Sequence, residues 1–131
     1  MKKELIEPLS WCEIDHKAIE HNFDQILKLI SRNQFILPKR TDKLNHLKNP
    51  EHILAVVKAD AYGHGMEFVA TLLQQKGCGH FGVANVEEGI CLRNAGITKP
   101  ILIFENSLKE YAKHIATYNL TPTVCTHELA H

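Results

Sequence analysis

Lys58 sits where an apolar run meets a glycine-punctuated turn, the one place in the sequence where a lysine could do chemistry. Residues Ile53–Gly65 read I-L-A-V-V-K-A-D-A-Y-G-H-G. Ile53–Val57 is a continuous apolar run with β-branched residues at its end, as in a strand buried on both faces. Lys58 follows at once, then Tyr62, Gly63 and Gly65, before a helical pattern resumes. Strand, charged residue, turn and helix form the first half of a βαβ unit, and functional side chains in parallel α/β folds stand at that end of the strands. A lysine serves as nucleophile or base only when neutral. Holding it so near pH 7 costs about 4.6 kcal/mol from an ordinary pKa of about 10.4. Desolvation beside an apolar strand can supply a lowering of that size. The plainer reading is that Lys58 marks where the strand reaches water.

Two other stretches match chemical motifs by letter. Gly77-Cys-Gly-His-Phe-Gly82 fits G-x-G-x-x-G. A dinucleotide fingerprint must leave a strand and open a helix, whereas these glycines close a helix and enter a strand. His127-Glu-Leu-Ala-His131 fits the zinc motif H-E-x-x-H. The helix there would be barely one turn long, and no third ligand follows the second histidine. Thr126 as a cap, Glu128 at the helix dipole and solvated histidines account for it, so no metal is expected.

The elements that must position Lys58 follow from periodicity. Trp11–Ile14 is a short strand candidate, and Asp15 can cap a helix over His16–Ser31 with Ile19, Phe23, Ile26, Leu27 and Ile30 on one stripe. Arg32–Pro50 holds two prolines, five basic residues and one acidic residue, Asp42, and reads as a solvated loop. It has no aromatic platform of the kind that binds nucleic acid. After the Ile53–Val57 strand, a helix runs from Met66 to about Lys76 and stops at Gly77. His80–Ala84 is the next strand, and Asn85 caps a helix with Glu87 and Glu88 in its first turn and Gly96 beyond its end. Pro100 opens the strand Ile101–Phe104. Ser107-Leu-Lys-Glu110 has the form of a capping box before a helix with Leu108, Tyr111, Ile115 and Tyr118 on one face. Thr121–Val124 is the last strand. Strand starts at 53, 80, 101 and 121 give one βα unit every 20 to 27 residues. That spacing implies a parallel sheet, either doubly wound or part of a (β/α)8 barrel.

Composition bounds the partners. The chain has 131 residues, 44% of them hydrophobic, enough for a core of its own. Fifteen basic and fifteen acidic residues cancel, so no global field attracts nucleic acid or a membrane surface. Cys12, Cys78, Cys91 and Cys125 form no C-x-x-C pair and read as reduced thiols. Glu4, Glu7 and Pro8 follow Lys2 and Lys3 where a secretory leader needs an apolar stretch, and no run approaches the ~18 residues of a membrane span. The expected protein is soluble and cytoplasmic.

The ten residues V-V-K-A-D-A-Y-G-H-G resemble the signature of the alanine racemase family. W-C-E-I-D at Trp11–Asp15, F-G-V-A at Phe81–Ala84, E-E-G-I-C-L-R-N-A-G-I at Glu87–Ile97, P-I-L-I at Pro100–Ile103 and L-T-P-T-V at Leu120–Val124 are also similar to family sequence, in family order. The resemblance selects the barrel. It implies residues 1–131 as a partial N-terminal barrel domain, with 1–15 a strand segment and 53–131 successive βα units. It further implies that Lys58 carries pyridoxal 5′-phosphate as a Schiff base and acts as the base on the D-alanine side. Tyr62 would help hold the cofactor phosphate. Phe104 stands near the cofactor where the family has a smaller aliphatic residue. The implied activity interconverts L- and D-alanine for peptidoglycan precursors, in a homodimer. The opposing tyrosine and the arginine facing the pyridine nitrogen belong to family sequence beyond this chain, whereas Tyr111 and Tyr118 read as packing residues. A serine racemase, a non-catalytic barrel fragment acting as an interaction module, and a zinc hydrolase are the other readings.

Overall fold

The computed structural model describes residues 10–31, 49–107 and 109–127. Helix α1 spans His16–Ser31, and the Asp15 carboxylate accepts from the N–H groups of Lys17 and Ala18 at its start. Ile19, Phe23 and Leu27 turn one face of α1 to the core, and His16 stacks on Phe68 with ring centroids 3.9 Å apart. A 3-10 turn at Pro50–His52 leads into β1 (Leu54–Val56), and the helical turn α2 (Lys58–Gly63) follows. Then come α3 (Met66–Gln75), β2 (His80–Val83), α4 (Val86–Asn94), β3 (Ile101–Asn106), a 3-10 turn at Lys109–Tyr111, α5 (Ala112–Thr117) and β4 (Thr121–Thr123). The expected βα alternation is present, with element ends shifted by a residue or two.

All the pairings are parallel, and the strands lie in the order β1-β2-β3-β4. Doubly wound sheets of the common orders 3-2-1-4-5-6 and 2-1-3-4-5 reverse direction within their first four strands. This sheet runs one way, as the wall of a barrel does, so the fold is the N-terminal part of a (β/α)8 barrel. Register fixes the two faces. Ala55, Phe81 and Ile101 align across the sheet, as do Val83 and Ile103, and these side chains meet the helices. Phe81, Val83, Ile101 and Ile103 are almost wholly buried there, each contributing ~1.5–3 kcal/mol. Met66, Val69, Ala70 and Leu73 of α3, at helical spacing, supply the opposing layer.

Four expectations need correction. The β1 strand is buried on one face, not both: Leu54 and Val56 point to the open side and are each 38% exposed. The four strands among the described residues form an arc, and Leu54 and Val56 lie on its barrel-interior surface. Trp11–Ile14 is not a strand, since no described strand runs beside it; the Trp11 indole N–H instead donates to Glu13. Ser107 does not open a capping box. Its hydroxyl is buried without a hydrogen-bond partner among the described residues, and the chain makes a 3-10 turn before the short α5. The fourth strand stops at Thr123, short of the exposed Val124. Tyr111, Ile115 and Tyr118 do pack against the core, as expected of packing residues. Most of the 32–50 loop, Leu108 and most of the H-E-x-x-H stretch lie outside the described residues.

Candidate functional site at the carboxyl end of β1

Val57 closes β1: its N–H donates to Gly82 O across the sheet, and its side chain is 1% exposed. Lys58 comes next, at the carboxyl edge where a barrel places its chemistry. The following backbone is not a right-handed helix. Ala59, Asp60, Ala61 and Tyr62 have φ between 51° and 55° with ψ between 37° and 51°, one turn of left-handed helix built from L-residues. Aspartate tolerates that region, but alanine and tyrosine give up ~1–2 kcal/mol each in it. Such backbone persists only where surrounding contacts over-determine it, and it gathers at functional sites.

The contacts are specific. Ala61 N–H donates to Val57 O at 2.8 Å and Gly65 N–H to Asp60 O at 3.0 Å, closing the turn on itself. Ala61 is buried, which anchors the turn to the core. The Asp60 carboxylate accepts from Met66 N–H at 2.7 Å and so caps α3 from six residues upstream. Glu88, on the first turn of α4, accepts from Ala59 N–H with one oxygen (2.8 Å) and from Ala84 N–H with the other (2.7 Å). Asn85 caps α4 as expected, its side-chain oxygen accepting from Glu88 N–H.

Lys58 is half-buried on the open face of the sheet, and no carboxylate among the described residues forms an ion pair with it. Its Nζ lies 6.0 Å from the centroid of the Phe104 ring. Phe104 projects from β3 on the same face and lies over Gly82, between Lys58 and the rest of the arc. Tyr62 is 62% exposed, at the outer end of the left-handed turn. The structure therefore brings Lys58 and Phe104 together and leaves Tyr62 at the surface of the same turn. An amine with no acidic partner among the described residues, beside an aromatic ring, fits an aldehyde-bearing aromatic cofactor.

Sequence reasoning missed Asp60 and Glu88. Asp60 lies inside the motif with no role attached to it, and Glu88 reads only as a residue in the first turn of its own helix. Its link to Ala59 spans 29 residues and involves only a backbone N–H, which no side-chain pattern signals. The letter match to G-x-G-x-x-G resolves as expected: Gly77 ends α3, and Gly79 and Gly82 belong to the entry and body of β2. A separate cavity of about 370 Å³ opens between α4 and the end of β3, lined by Asn85, Glu87, Glu105, Ser107 and Tyr111, and Lys58 does not reach it. Among the described residues, no three His, Cys, Asp or Glu side chains are grouped to hold a metal ion, and no helix is long and apolar enough to cross a membrane.

Comparison with known proteins identifies the family. Residues 37–131 match the family described as alanine racemase, N-terminal domain. An alanine racemase of Synechocystis sp. is 39% identical over 127 residues, covering 96% of this chain and 30% of its own length. The solved alanine racemase of Clostridium difficile 630 in complex with cycloserine superposes with a TM-score of 0.75 at 32% identity, covering 96% of this chain and 30% of that one. A histidine racemase from Leuconostoc mesenteroides subsp. sake superposes with a TM-score of 0.65 at 28% identity, covering 89% of this chain and 27% of that one. The chain thus spans under a third of the length of these relatives. By its motif, its strand order and these matches, the chain belongs to the alanine racemase family, of which it carries the N-terminal barrel segment.

Proposed function

We propose that this chain is the lysine-bearing part of a pyridoxal-phosphate-dependent racemase that interconverts L- and D-alanine. The observation that carries the reading is Lys58: an amine with no acidic partner among the described residues, at the carboxyl end of β1, between a left-handed turn and the Phe104 ring. The cofactor, when bound, draws electrons from the carbon beside the substrate amino group, so that a modest base can remove its proton. Lys58 would hold the cofactor through its Nζ, and the same Nζ, when free and neutral, would take and return a proton on one face. The exposed Tyr62 hydroxyl would help to hold the cofactor's phosphate. The Phe104 ring stands on the β3 side of the Lys58 amine, its centroid 6.0 Å from Nζ.

The relatives named alanine racemase support alanine as substrate, while the histidine racemase neighbour shows that similar folds serve other amino acids. Cytoplasmic supply of D-alanine to peptidoglycan precursors and assembly as a homodimer complete this reading. The exposed Leu54, Val56 and Phe104 also suit a fragment that pairs with another chain, but that reading leaves the strained turn beside Lys58 without a purpose.

The test is cofactor uptake. The 131-residue chain and its Lys58→Ala variant are equilibrated with pyridoxal phosphate and dialysed, and visible absorbance is recorded. Retained colour in the parent chain and none in the variant is expected. Equal retention by both would reject the assignment.

A further inference from the structure

We propose that Glu88 is a positioning residue for Lys58, acting through the backbone of Ala59. The inference rests on the reading of Lys58 as the cofactor lysine. Glu88 does not touch the Lys58 amine in this structure. Its carboxylate spans two strand ends, accepting from Ala59 N–H at 2.8 Å and from Ala84 N–H at 2.7 Å. A carboxylate with both oxygens engaged by backbone N–H groups makes charge-assisted hydrogen bonds, about twice as strong as neutral ones.

The placement of those bonds gives Glu88 its role. Ala59 directly follows Lys58 and is the first of five consecutive residues with positive φ, Ala59 to Gly63. The other bonds described above for the turn are local: Ala61 to Val57, Gly65 to Asp60, and Met66 to the Asp60 carboxylate. They close the turn but do not orient it against the sheet. On the amino side of Lys58, the Val57 N–H is fixed to Gly82 of β2. On the carboxyl side, the bond from Ala59 to Glu88 ties the chain to α4. Lys58 is therefore held between two backbone anchors, one in the sheet and one on a helix.

Glu88 is itself fixed. Its N–H donates to Asn85 Oδ1, and its position in the first turn of α4 places its charge against the positive end of the helix dipole. Without the carboxylate, Ala59 N–H loses its acceptor, and a left-handed alanine has reason to relax toward the right-handed region. The Lys58 side chain then leaves from a different direction. Displacements near 1 Å at a reacting group are worth up to about a hundredfold in rate.

The experiment uses the 131-residue chain with Glu88→Gln and Glu88→Ala variants. Pyridoxal phosphate is added, borohydride fixes it to amines after timed intervals, and peptide mapping gives the labelling rate at Lys58, Lys76 and Lys113. Amide hydrogen exchange at Ala59 and Ala84 is followed in parallel. The Glu88→Ala change should slow labelling of Lys58 about tenfold or more, with Lys76 and Lys113 unchanged. The Glu88→Gln change keeps one acceptor oxygen and should fall between, with faster exchange at either Ala59 or Ala84. Global unfolding would instead raise exchange throughout α3 and α4. Glu88→Gln retains the shape of the side chain and decides the matter if Glu88→Ala does not fold. Labelling of Lys58 in folded Glu88→Gln within about twofold of the parent, with both amides still protected, would overturn the inference. If the parent chain labels other lysines but not Lys58, the cofactor-lysine reading itself fails and takes this inference with it.

Discussion

The Phe104 ring occupies the space a side chain on Gly82 would need: a Cβ there would stand 2.7 Å from Cζ and 2.8 Å from Cε2 of the ring. Gly79 meets a different obstacle, since its Cβ would fall 1.8 Å from the backbone oxygen of Glu51. The ring edge can swing on the open face; a backbone carbonyl cannot. Gly82→Ala should therefore cost under ~1.5 kcal/mol and Gly79→Ala about 3 kcal/mol or more. Urea unfolding of the two variants checks the order, and pairing Gly82→Ala with Phe104→Leu should recover part of the smaller loss.

Arg93 ties together the amino-terminal side of the sheet. Its guanidinium, at the end of α4, donates to the carbonyls of Ile97, Lys99, Tyr118 and Asn119 at 2.6–2.9 Å. Burial pulls its pKa down from the usual value, yet it keeps its charge, as a planar fork with several acceptors should. Arg93→Ala should cost about 2–3 kcal/mol. Arg93→Lys should recover less than half of that, because an ammonium cannot span carbonyls on two loops. Thermal unfolding of both variants measures this.

Cys78 is buried, and its Sγ lies 3.4 Å from the carbonyl oxygens of Ile53 and His80. Desolvation pushes its thiol pKa up, while Cys12, Cys91 and Cys125 are exposed. A thiol reagent applied to the folded chain should modify the exposed three quickly and Cys78 only after denaturation. Rapid modification of Cys78 would show that β1 and β2 open readily.

The Tyr111 hydroxyl beside the Glu87 carboxylate holds that carboxyl below its usual range, and the carboxylate in turn raises the phenol. The sign is set by which forms make the bond. The carboxylate contribution is present above the ordinary carboxyl pKa and lost as pH falls through the lowered one. The phenol contribution is present below its ordinary pKa and lost as pH rises through the raised one. Tyr111→Phe should bring the Glu87 titration, followed by NMR, back up toward the usual carboxylate value. An unchanged titration would deny the contact.

Much of this arrangement was legible in the sequence because it is written in side-chain patterns. Apolar runs and caps placed most of the strands and helices, Asp15 and Asn85 both cap as read, and Lys58 follows the carboxyl end of β1. The left-handed turn was not legible. Gly63 and Gly65 announce positive φ, but Ala59, Ala61 and Tyr62 give no such sign, and the Glu88 carboxylate that accepts from Ala59 N–H lies 29 residues away. Ser107 misled for the complementary reason. A capping box is a local pattern, and here the core took the hydroxyl before the helix could. The one-sided burial of β1 depends on how many strands close the sheet, which no single strand encodes.

The account stands on Lys58 as the reactive amine. Borohydride reduction of the chain in the presence of substoichiometric pyridoxal phosphate, followed by peptide mapping of all lysines, tests it most directly. We expect the reduced cofactor predominantly on the peptide containing Lys58, and loss of that label in Lys58→Ala without transfer to another site. Label spread evenly over exposed lysines, or concentrated on any other lysine of the folded chain, would contradict it.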